Sequence, residues 1–304
     1  MVDNFHELDI LSKLSKEKGI SQNILLRLSP GIDPHTHRYT TTGILDSKFG
    51  FPIITGQAEE ALTKAMASPN LNLLGLHLHL GSPIFEVKPY QEAIEIVLRF
   101  AVAMKEKHGF ELKEFSPGGG FAIQYVLDSP APPTSAYAEA ITSTLIDQCR
   151  ELKLNRPRLI IEPGRAIVGQ AGVALYKVGA AKDIPGIRKY IFVDGGIGDN
   201  IRPALYGSKY EALVANKAGE AETEKVTIAG KFCESGDILI KDIYLPRVKE
   251  GDILAIPACG AYSIPMASNY NAALKPAIVL VKEGQARLIR RRETYDDLVR
   301  CDLF

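Results

Sequence analysis

The chain has 304 residues, 46% of them hydrophobic, and its 36 basic and 36 acidic side chains cancel to a formal net charge of zero. That length and apolar content allow a large buried core in one large domain or two ordinary ones, and the charge balance gives no support to a nucleic-acid or anionic-membrane partner. No apolar run approaches the roughly 20 residues of a membrane helix, and the first residues carry neither the basic nor the apolar region of a signal peptide.

Met1 and Val2 read as a strand remnant ahead of a helix with an apolar face of Phe5, Leu8, Leu11 and Leu14. Strands are predicted at 24–28, 73–80, 112–115 and 158–161. Between them, Tyr90, Ile94, Val97, Leu98, Ala101 and Met104 follow the helical period, as do Ile141, Leu145, Ile146, Cys149 and Leu152. Strands separated by helical crossovers pair in parallel. Four such strands and a remnant fall short of the eight of a closed barrel, and a doubly wound open sheet would manage with five. After residue 172 the pattern becomes strands joined by turns, at 173–180, 190–193, 225–229, 252–256, 277–281 and 286–290. Residues 1–172 are therefore expected to form an α/β domain and 173–304 a mostly antiparallel β domain. Cys149, Cys233, Cys259 and Cys301 are scattered with no CxxC pair, which predicts reduced thiols and a cytoplasmic location.

Chemistry-bearing residues stand just after the predicted strands. His77 and His79, two apart on a strand, share a face. They serve as satisfied core histidines, as zinc ligands with His35 and His37, or as a flat surface for a cofactor ring. Gly81 and Ser82 directly after them favour a ligand carrying phosphate. Gly118, Gly119 and Gly120 offer unobstructed N–H groups, either as an anion cradle or as a flexible loop, and match neither GxGxxG nor a Walker loop. In Glu162-Pro163-Gly164-Arg165 the carboxylate is placed to pair with a protonated ring nitrogen, or to form a surface salt bridge with Arg165. Cys233-Glu234-Ser235-Gly236-Asp237 reads alone as a solvated turn or a nucleophile lacking an obvious base, and Gly260-Ala261-Tyr262 as a strand bulge.

In their order and spacing these five motifs resemble the fold-type III pyridoxal-phosphate (PLP) decarboxylases. Three further stretches make the likeness closest to the diaminopimelate decarboxylases of that family: Ser47-Lys48-Phe49-Gly50, Asp194-Gly195-Gly196 leading to Arg202-Pro203-Ala204-Leu205-Tyr206-Gly207, and Ser268-Asn269-Tyr270-Asn271. Lys275-Pro276 departs from the arginine-proline pair of many members. The resemblance implies an α/β fold, a PLP-binding (β/α)8 barrel of the alanine racemase-like type followed by a β-sandwich or barrel-like C-terminal domain. It implies decarboxylation of meso-2,6-diaminopimelate to L-lysine and CO2, with no metal. By it, Ser82, Gly118, Gly119, Gly120, Gly164, Arg165 and Tyr262 hold the phosphate or its neighbourhood. Glu162 pairs with the pyridine nitrogen, and His79 stacks on the ring. Arg165, Arg202, Tyr206 and Tyr262 meet the substrate, Glu234 takes its distal ammonium, and Cys233 stands beside the reacting carbon. Cys233 and His79 are then the catalytic residues. Because Cys233 and Glu234 reach into the partner's site in that family, a homodimer with shared active sites is implied.

Arginine offers a fork for a carboxylate and Glu234 a counter-charge for an amine, so Arg202 with Glu234 suits a zwitterionic distal end; a polyamine precursor needs the acid alone. The lysine that holds the cofactor in that family precedes anything matched here, and residues 2–8 resemble the family's fourth barrel strand and helix. Lys48 belongs to a separate motif. A partial chain without the first three barrel strands is therefore expected. The alternatives are a decarboxylase of a polyamine precursor and a non-catalytic homologue regulating an intact enzyme.

Overall fold

The structure, a computed structural model, describes residues 1–34 and 40–303. It divides into two compact units, residues 1–123 with 131–166, and residues 124–130 with 167 onward.

The first unit begins with helix α1 (Phe5–Glu17), capped by Asn4, whose side chain accepts from the Glu7 N–H at 3.0 Å. Then follow β1 (Gln22–Ser29), β2 (Phe51–Pro52), α2 (Gln57–Ala67), β3 (Leu71–His77), α3 (Lys88–His108), β4 (Glu114–Ser116), α4 (Thr134–Glu151) and β5 (Arg158–Leu159). The chain leaves this unit through the short helix α5 (Gly164–Val168). The five strands form one parallel sheet in the order β2-β1-β3-β4-β5. Leu26, Leu76 and Phe115, in register across its three central strands, are fully buried. Helix α3 lays Tyr90, Ile94, Val97, Leu98, Ala101 and Met104 into the same core, and Gly109 ends it in the left-handed conformation. The predicted strand remnant is present as a parallel bridge from Val2 to Leu26. Register brings Arg27, His77 and Ser116 side by side at the C-terminal ends of β1, β3 and β4.

The second unit contains β6 (Ala174–Ile184), β7 (Arg188–Val193), helix α6 (Arg202–Tyr206), β8 (Leu213–Val214), β9 (Glu224–Ala229), β10 (Ile238–Leu245) and β11 (Ile253–Ile256). These strands form a six-stranded sheet in the order β10-β9-β7-β6-β11-β8. The pairs are antiparallel except β7 with β9, which run parallel. A separate hairpin, β12 (Ile278–Lys282) with β13 (Gln285–Arg290), and helix α7 (Tyr295–Val299) complete the chain. Within this second unit Ile191, Ile228, Leu245, Leu254 and Ile256 are fully buried.

Candidate active site

In the first unit the motif residues gather where the parallel strands end. His77 is 4% exposed, and its Nε2 lies 3.1 Å from Glu162 Oε1. That approach is close enough for an ion pair but out of line for a hydrogen bond, so neither imidazole nitrogen has a hydrogen-bond partner among the described residues. Beside it the Glu162 carboxyl is held below the usual carboxylate range, chiefly by His77 and less by His79 and Arg27, against a partial burial that pushes the other way. The carboxylate is 42% exposed. Glu162 thus pairs with His77, not with Arg165.

His79 Nδ1 accepts the Gly119 N–H at 3.3 Å, which puts the ring proton on Nε2. Burial is the main cause that drives its pKa down to about 4, with repulsion from Arg27 and His77 adding to it and Glu162 opposing. His79 is therefore a neutral, flat ring at neutral pH. Arg27 stands on β1 with its guanidinium 3.2 Å from Asp3 Oδ1 and 4.4 Å above the Phe49 ring. Asp3 in turn accepts the Gly50 N–H at 3.0 Å, which fastens the Ser47-Lys48-Phe49-Gly50 stretch to the strand end. Arg27 was legible as the one charge inside an apolar strand, yet the motifs gave it no role.

The three consecutive glycines are tightly packed. A Cβ on Gly118 would stand 2.5 Å from the Leu78 carbonyl oxygen, on Gly119 1.9 Å from that of Glu162, and on Gly120 2.1 Å from that of Gly81. Gly118 and Gly120 also have φ values of +75° and +93°. Glycine is needed so that three strand ends can touch. Two of the N–H groups are spent inside the protein, that of Gly118 on Ser116 Oγ and that of Gly119 on His79 Nδ1. Tyr90 donates its hydroxyl to the Gly119 carbonyl at 2.7 Å. Gly164 differs, for a Cβ there meets nothing within 4 Å, although its N–H too is spent, on the Glu162 carbonyl at 3.0 Å. Arg165 is 6% exposed and donates from Nε and Nη2 to Ser82 Oγ at 3.3 and 3.0 Å, tying two motifs that lie far apart in the chain.

In the second unit Arg202, at the start of α6, is 4% exposed. Its Nη1 donates to Tyr210 Oη at 2.6 Å and to Tyr125 Oη at 3.1 Å, and no carboxylate pairs with it among the described residues. Tyr206 follows on the same helix, half-buried. Cys233 and Glu234 are exposed; the thiol donates to Glu234 Oε1 at 3.4 Å, and Asn271 Nδ2 donates to Cys233 Sγ at 3.3 Å. Tyr270 donates to Glu234 and is the first cause that holds this carboxyl below its usual range. Asp237, 2% exposed, accepts the Ile197 and Phe232 N–H groups at 2.8 Å each and so pins the loop of Cys233 to that of Gly195 and Gly196. Tyr262 has a φ of +61° in a turn whose Gly260 touches Val168 and Gly172. Tyr125 and Tyr210 belonged to none of the motifs, and Asp237 stood in one with no role of its own, because what each does depends on contacts that local pattern does not carry. His35 and His37 lie outside the described residues, and no group of three or more metal-ligating side chains occurs among those described.

The arrangement fits a PLP-type cofactor by its own chemistry. A neutral flat imidazole suits an aromatic ring, an ionised carboxylate suits a protonated pyridine nitrogen, and the unfilled space at Gly164, next to the arginine that Ser82 holds, leaves room for a phosphate.

Residues 1–169 match the family model described as pyridoxal-dependent decarboxylase, pyridoxal binding domain. The chain is 47% identical over 303 residues to a diaminopimelate decarboxylase of Bacillus subtilis, covering 100% of this chain and 69% of that protein. It is 45% identical to one of Halalkalibacterium halodurans with the same coverages. Among solved structures, a diaminopimelate decarboxylase from M. jannaschii in complex with L-lysine matches with a TM-score of 0.92 and 37% identity, covering 100% of this chain and 68% of that one. One from Helicobacter pylori complexed with L-lysine gives 0.87 and 32%, covering 98% of this chain and 71% of that one.

Proposed function

Given that the chain belongs to the pyridoxal-dependent decarboxylases, we propose that its residues serve the decarboxylation of meso-2,6-diaminopimelate to L-lysine and CO2. The fold is that of its relatives, a cofactor-binding α/β barrel followed by a β domain, and we draw the division at residues 1–172 and 173–304. The observation that carries the reading is the meeting of an ionised Glu162 with a neutral His79 at the strand ends. Bound PLP supplies the electron sink for the pair of electrons left on the α-carbon as CO2 departs. Glu162 holds the proton on the ring nitrogen, and a carboxylate kept ionised is suited to that task. His79 gives the ring a flat, uncharged face. Ser82, Gly118, Gly119, Gly120, Gly164, Arg165 and Tyr262 surround the phosphate, the glycines by letting the backbone close in.

Arg202, Arg165, Tyr206 and Tyr262 meet the substrate, and Glu234 compensates the distal ammonium. The Cys233 thiol donates to Glu234 and is the group that would give a proton to the carbon that loses CO2. Supporting this substrate over a polyamine precursor is the buried Arg202 without a carboxylate partner among the described residues, since a diamine product leaves nothing for a guanidinium to bind. We propose further that two copies share their sites through the exposed Cys233 and Glu234, in the cytoplasm, as four free cysteines suit. No helix among the described residues is long and apolar enough to cross a membrane.

Complementation tests this reading. The chain, joined to the portion of the Bacillus subtilis relative that it does not span, should let a lysine-requiring strain without its own decarboxylase grow without lysine. Glu162→Ala and Arg202→Ala should each abolish growth. Growth with both substitutions present would contradict the roles given to these residues.

A further inference from the structure

Resting on the reading that Arg202 takes a substrate carboxylate, we propose that Tyr125 and Tyr210 are the positioning residues that make this site select carboxylate-bearing ligands over purely cationic ones. A guanidinium has five N–H donors in one plane. Both hydrogens of Arg202 Nη1 are spent, on Tyr210 Oη at 2.6 Å and Tyr125 Oη at 3.1 Å. The other edge, Nε–H with one N–H of Nη2, has no acceptor among the described residues. It is a two-pronged fork of the shape that a carboxylate fits.

The rings fix the plane of that fork. Their centroids lie 5.0 and 5.7 Å from the guanidinium carbon, and the two rings meet edge-on at 5.4 Å and 85°. Tyr125 is itself held in place, because its segment is fastened by the Leu127 N–H donating to Glu211 Oε1 at 2.9 Å. The choice of holding group decides the selectivity. An aspartate at either tyrosine's place would hold Arg202 equally well but would cancel its charge. A hydroxyl orients the cation and leaves the charge uncompensated in a site where the residue is 4% exposed. Burial raises the Tyr210 phenol to about 12, so its oxygen stays a neutral acceptor. A ligand carboxylate relieves the buried charge, whereas an ammonium in the same place adds to it.

L-Lysine and cadaverine are the probes, since they share a carbon chain and two amines and differ by one carboxylate. On the 15N-arginine-labelled chain, the Arg202 Nε–H resonance should shift with L-lysine and not with cadaverine. In the double variant Tyr125→Phe, Tyr210→Phe the preference for L-lysine should fall about tenfold or more, as expected for losing hydrogen bonds to a charged group. Exchange of the Arg202 Nε–H with water, measured without ligand, should quicken by about tenfold in the same variant. An unchanged thermal melt marks the variant as folded. Wild-type preference that survives both substitutions, or unchanged exchange, overturns the proposal alone. A wild-type chain that binds both probes equally, while the exchange quickens as expected, strikes the carboxylate role of Arg202 and the selectivity with it.

Discussion

Mild acid should destabilise the first unit through His79. Its pKa is pushed from 6.5 to about 4, mainly by burial, with Arg27 and His77 contributing and Glu162 opposing. The unfolded chain takes up this proton near its ordinary value and the folded chain only near pH 4. Between those values the unfolded state binds more protons, so stability falls as the pH falls and is fully present only above the unfolded value. A single site with these constants loses about 2 kcal/mol between pH 7 and pH 5, and about 3 kcal/mol in all once the pH is below 4. Urea unfolding at pH 7 and pH 5 measures the loss. His79→Asn is the control, since its side chain keeps an acceptor for the Gly119 N–H and does not titrate. The loss in the variant should be smaller by about 2 kcal/mol, and the His79 Cε1–H resonance of the wild type should titrate near pH 4. A midpoint at pH 6 or above, or equal losses in the two proteins, would show that His79 does not carry the acid sensitivity.

Gly119→Ala puts a Cβ 1.9 Å from a backbone oxygen and should cost about 3 kcal/mol or more, while Gly164→Ala, in open space, should stay within about 0.5 kcal/mol in the same thermal melts. Tyr90→Phe leaves the buried Gly119 carbonyl without its donor and should cost about 1–3 kcal/mol in urea unfolding. Ellman's reagent should modify Cys233 and Cys301 rapidly and reach Cys149 only on unfolding, because Cys149 is buried and burial raises its thiol pKa. A fast Cys149 would contradict the packing of α4.

The elements read most easily were those with strong periodic contrast. Helix α3 and strand β1 sit within a few residues of their predicted spans because their apolar positions are large. Helix α2 escaped notice because most of its buried face is alanine, at Ala58, Ala61 and Ala65, with Leu62 its one large residue. Strands β2 and β8 are two residues long, too short for any period. Strand β10 is as apolar as its neighbours, but Asp242 at φ +58° and two register shifts break its alternation. Strand β3 stops at His77, short of the predicted 80, because Leu80 turns its carbonyl to Thr42 and Gly43. The parallel pairing of β7 with β9 inside an otherwise antiparallel sheet is a matter of long-range order that local patterning does not carry. At the site, residues with a motif of their own were legible as candidates. What each one touches was not: the Ser82–Arg165 tie, the spent N–H of Gly119 and the hold of Tyr125 on Arg202 exist only once distant segments have met, and the nearer bonds of Gly118 to Ser116 and of Arg202 to Tyr210 lie in irregular turns that periodicity does not describe.

Loss of CO2 from diaminopimelate is the reaction assigned to these residues. Its most direct measurement is the joint release of CO2 and L-lysine from meso-diaminopimelate with added PLP, by the chain joined to the part of the Bacillus subtilis relative that it does not span. Ornithine and L-lysine serve as competing substrates. One L-lysine per CO2 is expected, with no CO2 from ornithine or L-lysine and loss of turnover in Glu162→Gln. Release of CO2 from ornithine with none from diaminopimelate would contradict the assignment.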